Sequence, residues 1–275
     1  GNSLLGTTPE LIASGLPEEA FTAIAGDDKK ICTALKKRNK QERKGGQTDM
    51  LHIMVAESSE QYNTLESRSR TIDSTPDNTL EEIQQKAEQF KRLIVSPEYR
   101  NAQLLADAWC SAFVWNKQKG EPEPITTDTI RRLEGNPEAL TTVQRQEVEN
   151  LAGQYRFFHW YIAFPEVFAK GGFDCVLGNP PWEGSDLMKV EFFSSLLPGV
   201  ASSRTTEDRL AVMEKAITED PHLELMWNKA RRENIAQSHF TRSSGRYPLT
   251  SSGKLNTYRN FAELSTSILN GSGHM

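Results

Sequence analysis

The sequence predicts a mainly α-helical chain with few short strands, and two patterns carry that prediction. Apolar residues recur at helical spacing through most of the length. Leu80, Ile83, Ala87, Phe90, Leu93 and Ile94 form one stripe, and Leu104, Leu105, Ala108, Trp109, Ala112 and Phe113 another. Strand patterning stands out at Phe173–Leu177, a short and mostly apolar run bounded by Gly171-Gly172 and Gly178, which reads as a buried strand.

Taken in order, a Gly/Thr/Pro-rich opening leads to a short helical stretch after Pro17. Asp27-Asp28 can cap a helix running to about Lys44, with Ile31, Ala34 and Leu35 on its inner side and Gly45-Gly46 ending it. Its basic end, Lys36 to Lys44, either complements the helix dipole or contacts phosphate. Met50–Val55 fits strand and helix equally, residues 57–79 are polar, and Ser74-Thr75-Pro76-Asp77 marks a loop. Thr79 caps the first apolar stripe, and Ser96-Pro97-Glu98 opens the second. Trp109 and Trp115 belong to the core, because an indole buries so much area.

Residues 117–126 read as a Gly/Pro/Glu linker, and Gly135-Asn136-Pro137 breaks a short helix begun at Thr127-Asp128. One continuous helix then puts Val148, Leu151, Ala152, Tyr155, Phe158, His159 and Ile162 on a single face. On that face His159 is a hydrogen-bonded packing residue rather than a catalyst. After Glu183-Gly184-Ser185 comes a helix with Val190, Phe192, Phe193 and Leu196; residues 203–236 are charged and helical, divided at Pro221. A last helix, capped at Asn256, is expected to bury Tyr258, Phe261, Leu264 and Ile268 and to stop at Asn270-Gly271, with no strand after it.

Of 275 residues, 37% are hydrophobic and 25% charged, with a net charge of −5. This excludes a uniformly basic nucleic-acid binder and leaves room for a local stripe of Lys and Arg. No apolar run approaches the roughly 18 residues of a membrane span, and no secretory signal is visible. Cys32, Cys110 and Cys175 are scattered without paired spacing, which predicts reduced thiols in a cytoplasmic protein and no metal centre. The chain starts at Gly1-Asn2-Ser3, without a methionine, and is expected to be a piece of a longer protein.

The chemistry concentrates in Asn179-Pro180-Pro181-Trp182. Two prolines cannot continue a sheet ladder, and the first biases Asn179 toward an extended backbone. The result is a stiff loop at a strand's carboxyl end, where open α/β sheets place ligands. An exocyclic amine on a heteroaromatic ring, or a carboxamide nitrogen, is a poor nucleophile because its lone pair is conjugated. The Asn179 side-chain oxygen and the Pro180 carbonyl can accept its N–H bonds, leaning the nitrogen toward tetrahedral geometry. Trp182 can stack on the planar group, a contact worth about 1–3 kcal/mol for a nucleobase. Downstream, Arg242-Ser243-Ser244-Gly245-Arg246-Tyr247-Pro248 reads as a loop suited either to phosphate or simply to solvent.

Asn179-Pro180-Pro181-Trp182 resembles the catalytic motif of S-adenosylmethionine-dependent amino-methyltransferases, especially adenine DNA methylases. The preceding Phe158-His159-Trp160-Tyr161-Ile162-Ala163-Phe164-Pro165-Glu166-Val167-Phe168 and Gly172-Phe173-Asp174 resemble the lead-in to this motif in large restriction–modification methylases. Ser238-His239-Phe240 through Ser244-Gly245-Arg246-Tyr247-Pro248-Leu249-Thr250, then Asn256-Thr257-Tyr258 and Phe261-Ala262-Glu263-Leu264, resemble their downstream segment. The resemblance is to type IIG-like enzymes, including those of BREX- and DISARM-type phage defence.

The resemblance implies an α/β, Rossmann-like methyltransferase fold, incomplete here, with a helical insertion over 1–155 and a partial catalytic region over 156–275. It implies Asn179, Pro180, Pro181 and Trp182 as catalytic residues, S-adenosylmethionine as cofactor and double-stranded DNA as partner. Arg242 and Arg246 are candidate DNA contacts, and other defence-system subunits are possible partners. The glycine-rich turn and ribose-binding acid that hold the cofactor are not found, and are expected upstream of Gly1. The isolated chain is therefore expected to be inactive. A glutamine amide or cytosine as acceptor, or a non-enzymatic helical scaffold, are the competing readings.

Overall fold

The computed structural model describes residues 1–45, 50–181 and 188–275, without the side chains of residues 50–61. Helices α1 (Pro9–Ala13), α2 (Lys29–Gly45), α3 (Met50–Ser74), α4 (Leu80–Ile94), α5 (Pro97–Val114), α6 (Thr127–Gly135) and α7 (Thr142–Tyr155) come first. Two short helical turns follow, α8 (Trp160–Ala163) and α9 (Pro165–Phe168), and lead into strand β1 (Phe173–Cys175). The chain continues through α10 (Lys189–Leu196), α11 (Pro198–Ser202), α12 (Thr206–Glu219), α13 (Pro221–Ser243), α14 (Thr257–Ile268) and strand β2 (Leu269–His274). The described residues are thus mainly helical, with β1 and β2 paired in parallel as a two-stranded sheet.

α5 is the centre of the main core. From Ala106 to Val114 every residue is buried, the polar Asp107 and Ser111 included, so the helix is enclosed on all sides here. α7 and α13 flank it, the latter bringing Phe240 edge-on to Trp109 and Phe113. Trp109 and Trp115 are both fully buried, as their size predicts. His159 is also a packing residue: its Nε2 meets Asp107 at 2.8 Å while its Nδ1 accepts the Thr7 amide at 3.3 Å. A second cluster forms around Phe193, Val200 and Met213, and a third around Tyr247, Leu264 and Ile268.

Several expectations change. Met50–Val55 is helical, opening α3, and the polar residues that follow continue that helix to Ser74. The buried face of α2 is Cys32, Leu35 and Asn39, with Ala34 exposed; Asn39 faces inward because its amide bonds Leu16 and Thr127. The stretch 117–126 is no linker. Ile125 lies in the main core, Lys117 is fully buried, and the Trp115 indole donates to the Pro122 carbonyl at 3.0 Å.

The long helix expected through Ile162 stops at Tyr155. Arg156 adopts φ 55°, and the amino-terminal segment takes over the freed backbone: Asn2 N–H donates to Arg156 at 2.6 Å and Phe158 N–H to Leu5 at 2.8 Å. Gly6 permits this approach, since a Cβ there would lie 2.0 Å from the Phe158 carbonyl oxygen.

The α4 stripe has its cap in place, a box in which Thr79 and Glu82 answer each other's backbone N–H groups. Its apolar face, however, points outward. Leu80, Ile83, Phe90 and Ile94 are exposed, and only Leu93 is buried. Periodicity reports an apolar face; it does not report what covers it.

Candidate active-site loop

Tyr247, Leu264 and Ile268 form the platform on which the Asn179 loop stands. Phe173 and Val176 pack against them, with Leu4, Trp160, Phe168 and Phe261 alongside. Trp160, Phe164 and Phe168 surround the Phe173 ring, mostly edge-to-face. The conspicuous aromatic content of 158–168 therefore seats β1.

The strand predicted at Phe173–Leu177 is present but shorter, and it is not buried. Phe173 is half-buried, Asp174 and Cys175 are exposed, and Leu177 is 96% exposed. Among the described residues β1 has a neighbour on one edge, which is why apolar patterning overstated its burial. That neighbour corrects a second expectation, because a strand does follow the last helix. Leu269 pairs with Phe173, His274 pairs with Cys175, and the Val176 amide donates to the His274 carbonyl at 3.0 Å. The Asn-Gly-Ser-Gly sequence looked like a helix stop and instead bulges a strand. Gly172, at φ 123°, lets the two chains meet, because a Cβ there would lie 2.5 Å from the Ile268 carbonyl oxygen.

Beyond Val176 the chain turns into solvent. Asn179 and Pro181 are exposed and Pro180 is half-buried. The Asn179 amide is therefore free to face an incoming group rather than the interior. Trp182, and Glu183-Gly184-Ser185 after it, lie outside the described residues. The Pro181 carbonyl accepts the Thr257 hydroxyl at 2.9 Å, which joins the loop to the first turn of α14. α14 is capped by Asn256, whose side chain accepts the Tyr258 amide. Tyr258, expected to be buried, is 38% exposed with the Arg259 guanidinium beside its ring.

The downstream segment is bolted to the same helix. Glu263 accepts from the Leu249 amide at 2.8 Å, the Thr250 amide at 2.9 Å and the Thr250 hydroxyl, to which Asn260 donates at 2.8 Å. Arg242 donates to the carbonyls of Ser251 and Gly253, so its charge braces that loop while remaining exposed. Arg246 is half-buried, and that burial pulls its pKa below the ordinary arginine value. The Tyr247 hydroxyl donates to the Leu4 carbonyl at 2.7 Å, and burial raises its pKa well above the usual phenol range. The basic end of α2 is partly committed too, Arg38 pairing with Glu42 and Glu123 and Lys40 with Glu18.

Sequence reasoning missed the roles of Thr257 and Glu263. Both lie in the stretch that resembled a methylase's downstream segment, but a fixed hydroxyl and a three-bond carboxylate leave no periodic signal. Among the described residues no strand runs through a glycine-rich turn into a helix, the arrangement that cradles an adenosyl cofactor's polar end. The described residues therefore do not fit a complete cofactor site. No three His, Cys, Asp or Glu side chains cluster among them, and no helix among them is long and apolar enough to cross a membrane.

No curated protein and no solved structure matches the chain. A family model does: that of the Eco57I restriction-modification methylase matches residues 50–218, more than half of the sequence, and the matched stretch contains β1 and the Asn179 loop. The chain belongs to the Eco57I restriction-modification methylase family.

Proposed function

We propose that the protein carrying this chain methylates the exocyclic amine of adenine in double-stranded DNA, with S-adenosylmethionine as donor and the Asn179 loop as acceptor site. The observation that carries this reading is the exposed Asn179-Pro180-Pro181 corner at the carboxyl end of β1, inside the stretch shared with a methylase family.

In this reading the flipped adenine, extruded at a cost of about a few kcal/mol, presents its amino group to Asn179 and Pro180. The Asn179 side-chain oxygen and the Pro180 carbonyl accept its two N–H bonds, which localises the nitrogen lone pair. Trp182 stacks on the ring and Pro181 keeps the corner stiff. S-adenosylmethionine supplies the electrophilic methyl group when bound. The amine's surplus proton leaves only after it is alkylated, so no strong base is required beforehand. Residues 156–275 carry this catalytic part and 1–155 the helical part beside it. Arg242 and Arg246 contact phosphate, and the protein works in the cytoplasm as one component of a restriction–modification or phage-defence system.

The test incubates the complete gene product with unmethylated duplex DNA and labelled S-adenosylmethionine, then separates the nucleosides by mass. N6-methyladenine is the expected product. Label recovered on cytosine, or on a protein glutamine, overturns the adenine assignment; no label under conditions where a control enzyme works overturns the activity.

A further inference from the structure

We infer that Thr257 is a positioning residue for this loop: its hydroxyl fixes the Pro181 carbonyl and thereby aims the Asn179 amide and the Pro180 carbonyl. This rests on the proposed site and adds a component to it. The bond measures 2.9 Å and joins residues 76 positions apart in sequence. Its two ends differ in rigidity. Thr257 opens α14, a helix capped by Asn256, held through Glu263 and Asn260 to the 249–250 loop, and anchored by buried Leu264 and Ile268. The loop, by contrast, has Leu177, Gly178, Asn179 and Pro181 in solvent.

Two anchors define such a corner. At its start the Val176 amide is tied to the His274 carbonyl at 3.0 Å; at its end the Pro181 carbonyl is tied to Thr257. Between them both prolines have φ locked near −65°, while Leu177, Gly178 and Asn179 keep their freedom, so the two anchors limit where the corner can sit. Removing one anchor frees the corner to swing about the other. Positioning errors of about 1 Å can cost on the order of 10²-fold in rate, and a helix-borne hydroxyl is a suitable brake. α14 also leads directly into β2, so one rigid helix places both the strand that pairs with β1 and the hydroxyl that ends the loop.

The experiment compares Thr257→Val, which keeps the shape and loses the donor, with Thr257→Ser, which keeps the donor. Methyl transfer by the complete protein is followed with labelled S-adenosylmethionine on duplex DNA. Thr257→Val is expected to lower kcat by roughly tenfold or more with KM for DNA and the melting temperature little changed, and Thr257→Ser to restore most of the rate. Wild-type kcat in Thr257→Val overturns the inference, as does a loss that Ser fails to rescue. Asn179→Ala separates this outcome from failure of the site itself. If Asn179→Ala is inert and Thr257→Val is fully active, only the role of Thr257 falls. If the wild-type protein transfers no methyl group, the site reading falls and Thr257 is judged on backbone NMR order parameters across Leu177–Asn179. Lower order parameters in Thr257→Val but not in Thr257→Ser support the anchor, and unchanged ones overturn it.

Discussion

Single side chains decide more here than their number suggests. With Nδ1 accepting the Thr7 amide, His159 carries its proton on Nε2 and donates it to Asp107. Asp107→Ala strands that donor in the core, and the unanswered group is expected to cost about 1–3 kcal/mol, read as a lower urea midpoint. His239 provides a pH test. Burial, reinforced by the Lys117 charge, pulls its pKa to about 4, and its Nδ1 meets the Ser243 hydroxyl at 3.2 Å. Between the ordinary histidine value and that lowered one, the unfolded chain binds a proton that the folded chain refuses. Stability therefore falls as pH drops from about 6.5 to 4, by roughly 3 kcal/mol at most, and this contribution is flat below that window. Denaturation midpoints should fall more steeply on acidification across that range for wild type than for His239→Gln. At the loop, Trp182→Ala is expected to weaken transfer through lost stacking, about 1–3 kcal/mol, with the melting temperature unchanged.

At the scale of elements, the contrast between the exposed and buried apolar positions of α4 tests how burial, rather than patterning, sets stability. Ile83→Asp on the exposed stripe should change unfolding free energy by no more than about 0.5 kcal/mol. Leu93→Ala, on the same helix but buried, should cost about 2–5 kcal/mol. Thr79→Ala removes one half of the capping box and should cost about 1 kcal/mol. These helices were legible because caps and stripes are local: Thr79, Ser96-Pro97, Asp28, Pro221 and Asn256 all start helices where the sequence places them. What was illegible depends on distant partners. The break after Tyr155 needs Asn2 and Leu5, the burial of 117–126 needs the core around Trp115, and β2 needs β1. Gly172→Ala should act on that last junction, since the backbone it meets cannot yield, and should raise amide exchange at Val176.

Across the whole molecule, the candidate site was legible as a motif and illegible as a framework. Asn179-Pro180-Pro181 could be picked out because two prolines halt a strand ladder and leave an amide and a carbonyl at a stiff corner, with flanks that resemble a methylase's. The helix that holds the loop could not, because Thr257 and Glu263 are ordinary polar residues until the fold brings them beside Pro181 and Thr250. Family membership and the exposed corner meet in one claim, that Asn179 accepts the hydrogen bonds of a nitrogen about to be alkylated. The most direct measurement is the methyl-transfer rate of Asn179→Ala against wild type in the complete protein, on unmethylated duplex DNA. A fall of about 10²-fold or more with an unchanged melting temperature is the predicted result. Transfer within a few-fold of wild type would contradict it.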